Sequence, residues 1–238
     1  MSEGRESVER RQRLLRLASA AAFLAIVAVA VLIVVSQSQN EGGDTKLEGV
    51  GQVNGQLRGV PQNGLVLGEP AAMVTLVEFG DLQCPVCKGF AEEALPRLIE
   101  TKVRTGQAKI DFRAYTIISE ESAPAAAAAI AAGEQGRGWS FVELFYRNQG
   151  IENSGYVTDS FLTSIARAAG VADIDEWNAD RSNRRVLAEV SAQSRQARAL
   201  GFSGTPSFAV QGPATEDLEA LDTPASLGDI EAAIDRAG

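Results

Sequence analysis

Both cysteines of this chain lie in one Cys-x-x-Cys motif, Cys84 and Cys87, which closely follows a buried-strand pattern. Residues 73–79 form a short apolar, β-branched run that predicts a buried strand, and Gly80-Asp81 indicates a turn after it. The residues after Cys84 have the apolar spacing of a helix. The cysteine pair is therefore expected where a strand, a turn and a helix N-terminus meet.

Such a motif has three physical uses. A zinc site needs a second pair of Cys or His ligands, and the chain has none. A structural disulfide between Cys84 and Cys87 would close a very short loop and add only about 2 kcal/mol to stability. A redox pair is favoured, because the free N–H groups and the macrodipole of a helix N-terminus stabilise a thiolate. Pro85 suits the first helical turn, and since Val86 carries no charge, the helix terminus is expected to lower the pKa of Cys84.

The composition excludes several classes of function. The 238-residue chain has no histidine, which excludes Ser-His-Asp and Cys-His catalysis and histidine-ligated zinc. Its 22 Lys and Arg against 31 Asp and Glu give a formal net charge of −9, so a nucleic-acid partner is not expected. No metal and no prosthetic group are predicted, and the redox centre is expected to be a Cys84–Cys87 disulfide.

The N-terminal part predicts a membrane anchor and a tether. Residues 17–35 carry no charge and would span about 28 Å as a helix, which matches the hydrocarbon core of a bilayer. A cleaved signal peptide is the alternative, but its apolar core is usually shorter, about 7–15 residues. The arginines of residues 1–16 place that segment in the cytoplasm and the rest of the chain outside. Residues 36–62, rich in Gly, Gln and Asn, predict a flexible linker.

From residue 63 to the end, the pattern predicts one α/β domain. Strands are expected over residues 73–79, 110–118 and 207–211, and helices from Cys84 to about residue 102, with a kink at Pro96, and over residues 227–237. Residues 119–200 lack strand-like runs and predict a block of helices. The order indicates an α/β fold with a helical insertion at about residues 119–200, and no strand is evident between residues 214 and 223.

Two further places are candidates for the chemistry. Glu78 interrupts the first strand pattern six residues before Cys84. A carboxyl there is either a solvated edge position or a proton acceptor for Cys87 with a raised pKa, and the second is favoured. Gly204-Thr205-Pro206 precedes the strand at 207–211, and a cis peptide between Thr205 and Pro206 is the hypothesis.

Residues 74–90, VTLVEFGDLQCPVCKGF, and 201–212, GFSGTPSFAVQG, resemble the DsbA-like thiol-disulfide oxidoreductases of the thioredoxin superfamily, above all the membrane-anchored bacterial type. The resemblance covers roughly residues 63–238. It implies a thioredoxin fold with an inserted helical domain, Cys84 and Cys87 as the redox pair, Glu78 as the buried acid and Thr205-Pro206 as the substrate-binding cis-proline loop. Many strongly oxidising members have histidine where this chain has Val86, which implies a less stabilised thiolate here.

The function expected from these features is that of an extracytoplasmic enzyme that introduces disulfides into exported proteins. The resemblance also implies a quinone-linked membrane partner, DsbB-like or vitamin K epoxide reductase-like, that reoxidises the pair. Two alternatives stay open: a membrane-tethered disulfide reductase or isomerase, and a non-catalytic tethered binding module whose disulfide is structural.

Overall fold

The computed structural model describes residues 46–238, and a six-stranded mixed sheet forms the centre of this part of the chain. The strands are β1 (Gln62–Asn63), β2 (Val66–Leu67), β3 (Val74–Gly80), β4 (Ala108–Ala114), β5 (Ser207–Gln211) and β6 (Glu219–Ala220). Their spatial order is β1-β2-β4-β3-β5-β6. Strand β3 is parallel to β4 and antiparallel to β5, and every other pairing is antiparallel. This places the strand that leads to the cysteines in the middle of the sheet.

Both faces of β3 are covered. Leu76 belongs to the larger hydrophobic cluster, which also contains both cysteines, whereas Val77 and Phe79 belong to a smaller cluster on the opposite face. A strand buried on both faces is a continuous apolar run, and this accounts for the run at residues 73–79. The expected strands at 73–79 and 207–211 are confirmed, and the one predicted for 110–118 begins and ends earlier, as β4.

The helices of the described residues are α1 (Val50–Gln56), α2 (Pro85–Glu93), α3 (Leu95–Leu98), α4 (Ser122–Glu134), α5 (Gly138–Arg147), α6 (Asp159–Ala169), α7 (Ile174–Asp180), α8 (Arg184–Ala199) and α9 (Leu227–Ala237). The single helix with a kink at Pro96 is instead interrupted: α2 ends at Glu93, Pro96 lies in the first turn of α3, and α3 passes into a π-helical turn, Ile99–Val103. Helices α4 to α8 form the predicted insertion between β4 and β5. Its Ala-rich helix α4 is nearly all buried, since small side chains let its neighbours approach closely.

The prediction of a flexible linker over residues 36–62 is wrong for residues 46–62, which fold onto the domain. Helix α1 packs against α5 and buries Val53, and Leu57 and Val60 are buried after it. Arg104 donates hydrogen bonds to the carbonyl oxygens of Gln56 and Arg58, at 2.8 and 2.9 Å. Val53, Leu57 and Val60 have helical spacing, but this pattern was not recognised in the sequence because many Gly, Gln and Asn residues lie between them.

Two further findings concern the C-terminal part of the chain and the predicted membrane anchor. The two-residue strand β6 lies between residues 214 and 223, where the sequence showed no strand pattern, because both of its residues are exposed. No helix among residues 46–238 has the length and apolarity needed to span a bilayer. The predicted anchor at 17–35, the cytoplasmic segment 1–16 and residues 36–45 of the predicted linker lie outside the described residues.

The substitution Val53→Ala tests whether α1 is part of the domain. Val53 is fully buried, so we expect the loss of two methyl groups to lower the free energy of unfolding by roughly 2–3 kcal/mol in urea titrations. The same change at the exposed helical residue Val86 is the control and should alter stability by less than about 0.5 kcal/mol. Equal, small effects at both positions would mean that residues 46–62 are a tether after all.

Candidate active site

Cys84 is the N-cap of helix α2, and the helix begins with Pro85. The backbone N–H of Cys87 donates to the Cys84 sulfur, with 3.4 Å between the nitrogen and Sγ. Both cysteines are free thiols in this structure. Cys84 keeps 4% of its surface exposed, whereas Cys87 has none. The expected position at a helix N-terminus is confirmed.

The two thiols differ sharply in proton affinity. The pKa of Cys84 is lowered to about 6, chiefly by the hydrogen bond from the Cys87 side chain, although burial acts against this shift. The Thr205 side chain and the backbone N–H groups of Cys87 and Val86 lower it further. The pKa of Cys87 is raised well above its usual value by burial first, and then by its interactions with Cys84 and Glu78. Cys84 is therefore the nucleophile and the better leaving group of the pair.

The loop before β5 lies against Cys84. The Cys84 sulfur donates to the carbonyl oxygen of Thr205, with 3.3 Å between Sγ and the oxygen, and the Thr205–Pro206 peptide is cis, as hypothesised. The Ser207 hydroxyl donates to the carbonyl of Gly204 at 2.8 Å and closes this loop. On the other side of the motif, the Val86 side chain is 66% exposed. The structure thus brings together the four residues predicted around the reactive sulfur: Pro85, Val86, Thr205 and Pro206.

Glu78 is buried in the centre of the sheet beneath the cysteines, with 2% of its surface exposed. Its partners in register are Phe112 on β4 and Phe208 on β5, so its side chain points to the same face as theirs. Burial raises the pKa of Glu78 to about 8, and the nearby carboxyl of Glu143 adds to this shift. The alternative of a solvated edge position is therefore wrong, and Glu78 interacts electrostatically with Cys87.

Polar side chains that the sequence did not single out hold the active-site turn. The carboxylate of Asp81 is buried and accepts hydrogen bonds from the backbone N–H groups of Gln83, Ile117 and Ile118, at 2.9, 2.8 and 3.0 Å. It is therefore a buried cap of the turn. The amide of Gln149 donates to the carbonyl oxygens of Leu82 and Cys84, at 2.7 and 3.2 Å.

Gln83 is fully buried and ties the same turn to the helical insertion. Its amide nitrogen donates to the side chains of Ser119 and Glu121, at 2.8 and 3.2 Å, and its oxygen accepts from the backbone of Asn153 at 2.7 Å. The turn therefore has partners both just after β4 and beyond α5. Within residues 46–238 there is no group of three potential ligands that could hold a metal ion.

Replacing Cys87 separates the two sources of Cys84 acidity. In Cys87→Ser the hydroxyl can still donate to the Cys84 sulfur, so we expect the alkylation rate of Cys84 to titrate near pH 6. In Cys87→Ala that donor is lost, and the midpoint should rise by at least about one pH unit. If both variants titrate together near pH 6, the helix N-terminus and not the Cys87 side chain stabilises the thiolate.

The raised pKa of Glu78 predicts how stability depends on pH. Between about pH 4.5 and 8 the unfolded chain loses the Glu78 proton while the folded protein keeps it, so stability falls as pH rises. One such carboxyl contributes a slope of roughly 1.4 kcal/mol per pH unit. Urea unfolding of the reduced Glu78→Gln variant should show a correspondingly shallower decline. The exposed Glu93→Gln is the matched control and should retain the wild-type slope, and a wild-type slope in Glu78→Gln as well would contradict the assignment.

Comparison with known proteins agrees with this site. The thioredoxin family model matches residues 61–236. A probable disulfide bond formation protein D of Bacillus cereus is 32% identical over 149 residues, which cover 61% of this chain and 69% of that protein. The crystal structure of oxidised BdbD from Bacillus subtilis aligns with a TM-score of 0.64 at 22% identity and covers 75% of this chain and 96% of that one. A thioredoxin-like oxidoreductase from Silicibacter pomeroyi aligns with a TM-score of 0.58 at 28% identity over 77% of this chain and 96% of that one. With its Cys-x-x-Cys at a helix N-terminus beside a cis-proline loop, the chain belongs to the thioredoxin family, as a DsbA-like thiol-disulfide oxidoreductase.

Proposed function

We propose that this protein introduces disulfides into exported proteins outside the cytoplasmic membrane, by dithiol-disulfide exchange through Cys84 and Cys87. The observation that supports the proposal most directly is that the pKa values of the two thiols are shifted in opposite directions. That of Cys84 is lowered to about 6 and that of Cys87 is raised. A stable Cys84 thiolate favours the reduced form of the pair, and a pair that is stable when reduced is an oxidant.

The exchange has two steps. A substrate thiolate attacks the Cys84 sulfur of the disulfide, the bond between Cys84 and Cys87 breaks, and a mixed disulfide forms. Cys87 leaves as a thiolate and takes a proton from Glu78. The second substrate thiolate then attacks the substrate's own sulfur and releases Cys84 as a thiolate. The substrate dithiol is oxidised to a disulfide, and the cysteine pair is reduced to a dithiol.

The loop of Thr205 and Pro206 would receive the substrate chain. The Thr205 carbonyl is already a hydrogen-bond partner of Cys84, at 3.3 Å from the sulfur, so an extended substrate paired with this loop would bring its thiol to the same atom. Pro206 directly precedes β5. Because proline has no backbone N–H, it does not donate a hydrogen bond to the Cys84 sulfur. These two residues are thus assigned to substrate binding.

Location and reoxidation complete the proposal. The uncharged residues 17–35, preceded by arginines, would anchor the chain with its catalytic domain outside, where a disulfide donor is useful. Each turnover leaves the pair reduced, so a further oxidant must take two electrons. We assign this role to a quinone-linked membrane protein of the DsbB-like or vitamin K epoxide reductase-like kind.

A tethered reductase or isomerase is the second candidate. It is favoured by Val86, which is exposed and uncharged and so places no positive group beside the Cys84 thiolate. Its chemistry is the same exchange run towards reduction or shuffling. The reduction potential of the pair separates a disulfide donor or isomerase from a reductase, because a less stable thiolate makes a weaker oxidant.

Disulfide transfer to a reduced, unfolded protein tests the function. We expect the oxidised protein to form disulfides in this substrate stoichiometrically, and Cys84→Ser to form none. Cys87→Ser should also form none, since one cysteine cannot hold the disulfide; mixed instead with a disulfide-bonded substrate, it should accumulate a mixed disulfide at Cys84, since no inner thiol can resolve it. Full transfer activity in Cys84→Ser would refute the mechanism.

Equilibration of the same protein with glutathione then measures the reduction potential of the Cys84–Cys87 pair, which indicates the direction of electron flow. A potential near or above about −180 mV is expected for a disulfide donor or isomerase. A potential near about −270 mV, that of a thioredoxin-like reductant, would instead favour the tethered reductase.

A further inference from the structure

One stripe of helix α5 faces the sheet where Glu78 lies. The rings of Trp139 and Tyr146 both meet the ring of Phe112 edge-on, at centroid distances of 6.3 and 6.5 Å. Phe112 is the partner of Glu78 in register on β4 and points to the same face of the sheet. Glu143 lies between the two aromatic residues at helical spacing and therefore on the same stripe. A second buried carboxyl thus points towards the interior that contains Glu78.

The surroundings of Glu143 leave its charge poorly compensated. The side chain is 1% exposed, and its Oε1 atom has no hydrogen-bond partner among the described residues. Its Oε2 atom accepts one hydrogen bond from the amide of Gln56, at 3.1 Å. Arg147, one turn further along α5, directs its terminal nitrogens to the side-chain oxygens of Gln52 and Gln56 instead, at 3.3 and 3.4 Å. A buried carboxylate with so few donors is costly to ionise.

We propose that Glu143 is a positioning residue of the exchange reaction: from its place on the buried stripe of α5, it controls whether Glu78 holds a proton for Cys87. The inference rests on the proposed role of Glu78 and extends it to a residue that contacts neither sulfur.

The physical reason is repulsion between two carboxyls in one interior of low dielectric constant. Burial is the main cause of both raised pKa values, about 8 for each, and the value for Glu78 includes the repulsion from a negative charge on Glu143. Arg147 and the amide of Gln56 favour the charged form of Glu143, and Glu92 on α2 opposes it. Cys87 and Tyr146 are the other titratable groups that interact with Glu78. Glu143 therefore keeps the proton on Glu78 up to a higher pH than burial alone would, and that proton neutralises the departing Cys87 thiolate.

Infrared spectroscopy of the reduced full chain tests this coupling, because a protonated buried carboxyl has a distinct C=O stretch whose loss with pH gives the midpoint for that group. Glu78→Gln removes and so assigns the Glu78 band. We expect Glu143→Gln to lower the Glu78 midpoint by about one pH unit, since a charge has been removed. Glu143→Asp retains a charge and should keep the midpoint within a few tenths of a unit. The exposed Glu93→Gln, on α2, is the matched control for the removal of a single acid.

Three results would overturn the proposal. The first is an unchanged Glu78 midpoint in Glu143→Gln. The second is an equal shift in Glu143→Asp and Glu143→Gln, which would make the effect one of packing. The third covers the case in which neither variant folds: coupling between two sites is reciprocal, so Glu78→Gln must lower the Glu143 midpoint, and an unchanged midpoint there excludes the coupling.

The exchange reaction supplies an independent measure. Attack of Cys87 on a mixed disulfide at Cys84 needs the ionised form of Glu78, so its rate should show an inflection at the Glu78 midpoint. We expect this inflection to move to lower pH in Glu143→Gln by the same amount as the infrared midpoint. A midpoint that moves without the inflection would refute the role of Glu143 in the reaction, whereas absence of disulfide transfer in the wild-type protein would refute the proposed function alone.

Discussion

The chemistry of this protein depends on one hydrogen-bonded contact, that between the sulfur of Cys84 and the side chain and backbone N–H of Cys87 at the start of helix α2. The donors of the first helical turn are free because no preceding turn accepts them, and the Cys84 sulfur occupies the position of a capping oxygen. The contact stabilises negative charge on Cys84 alone, while burial of Cys87 keeps the proton on the inner sulfur. The two cysteines of the motif therefore have different roles. The Cys84 sulfur is the nucleophile and leaving group, whereas the Cys87 sulfur stays buried.

This contact holds only if the turn that carries Cys84 is fixed, and the helical insertion fixes it. Gln149, at the end of α5, donates to the carbonyls of Leu82 and Cys84, while Gln83 is enclosed by Ser119, Glu121 and the backbone of Asn153. Buried amides are stable only when such partners are present, so loss of the insertion would leave them unpaired. The insertion is thus part of the active site, although it supplies neither sulfur.

The sequence was sufficient for the parts of the site that are local in the chain. A strand, a turn, Cys84 at a helix N-cap and Pro85 in the first turn follow one another within a few residues, and each has a known pattern. Thr205-Pro206 lies far away, and only its resemblance to a cis-proline loop placed it beside Cys84. Gln149 was not predicted, because its hydrogen bond to Cys84 spans 65 residues and a glutamine carries no periodic signal. Glu143 was missed for a related reason: in an amphipathic pattern a glutamate indicates the solvent face, but α5 is covered on all sides.

The absence of a histidine between the cysteines changes how the thiolate is stabilised. An imidazolium stabilises a thiolate by its charge, and that charge is lost as pH rises through the histidine pKa, near 6.5 in isolation. Here the stabilising groups are the Cys87 thiol, two backbone N–H groups and the Thr205 side chain, none of which carries a charge. Their effect persists across the range in which a histidine would titrate. The pKa of Cys84 should therefore be independent of the titration of a neighbouring group between pH 6 and 8, and above the Cys84 midpoint near pH 6 the exchange depends on the buried carboxyls beneath it, whose pKa values lie near 8.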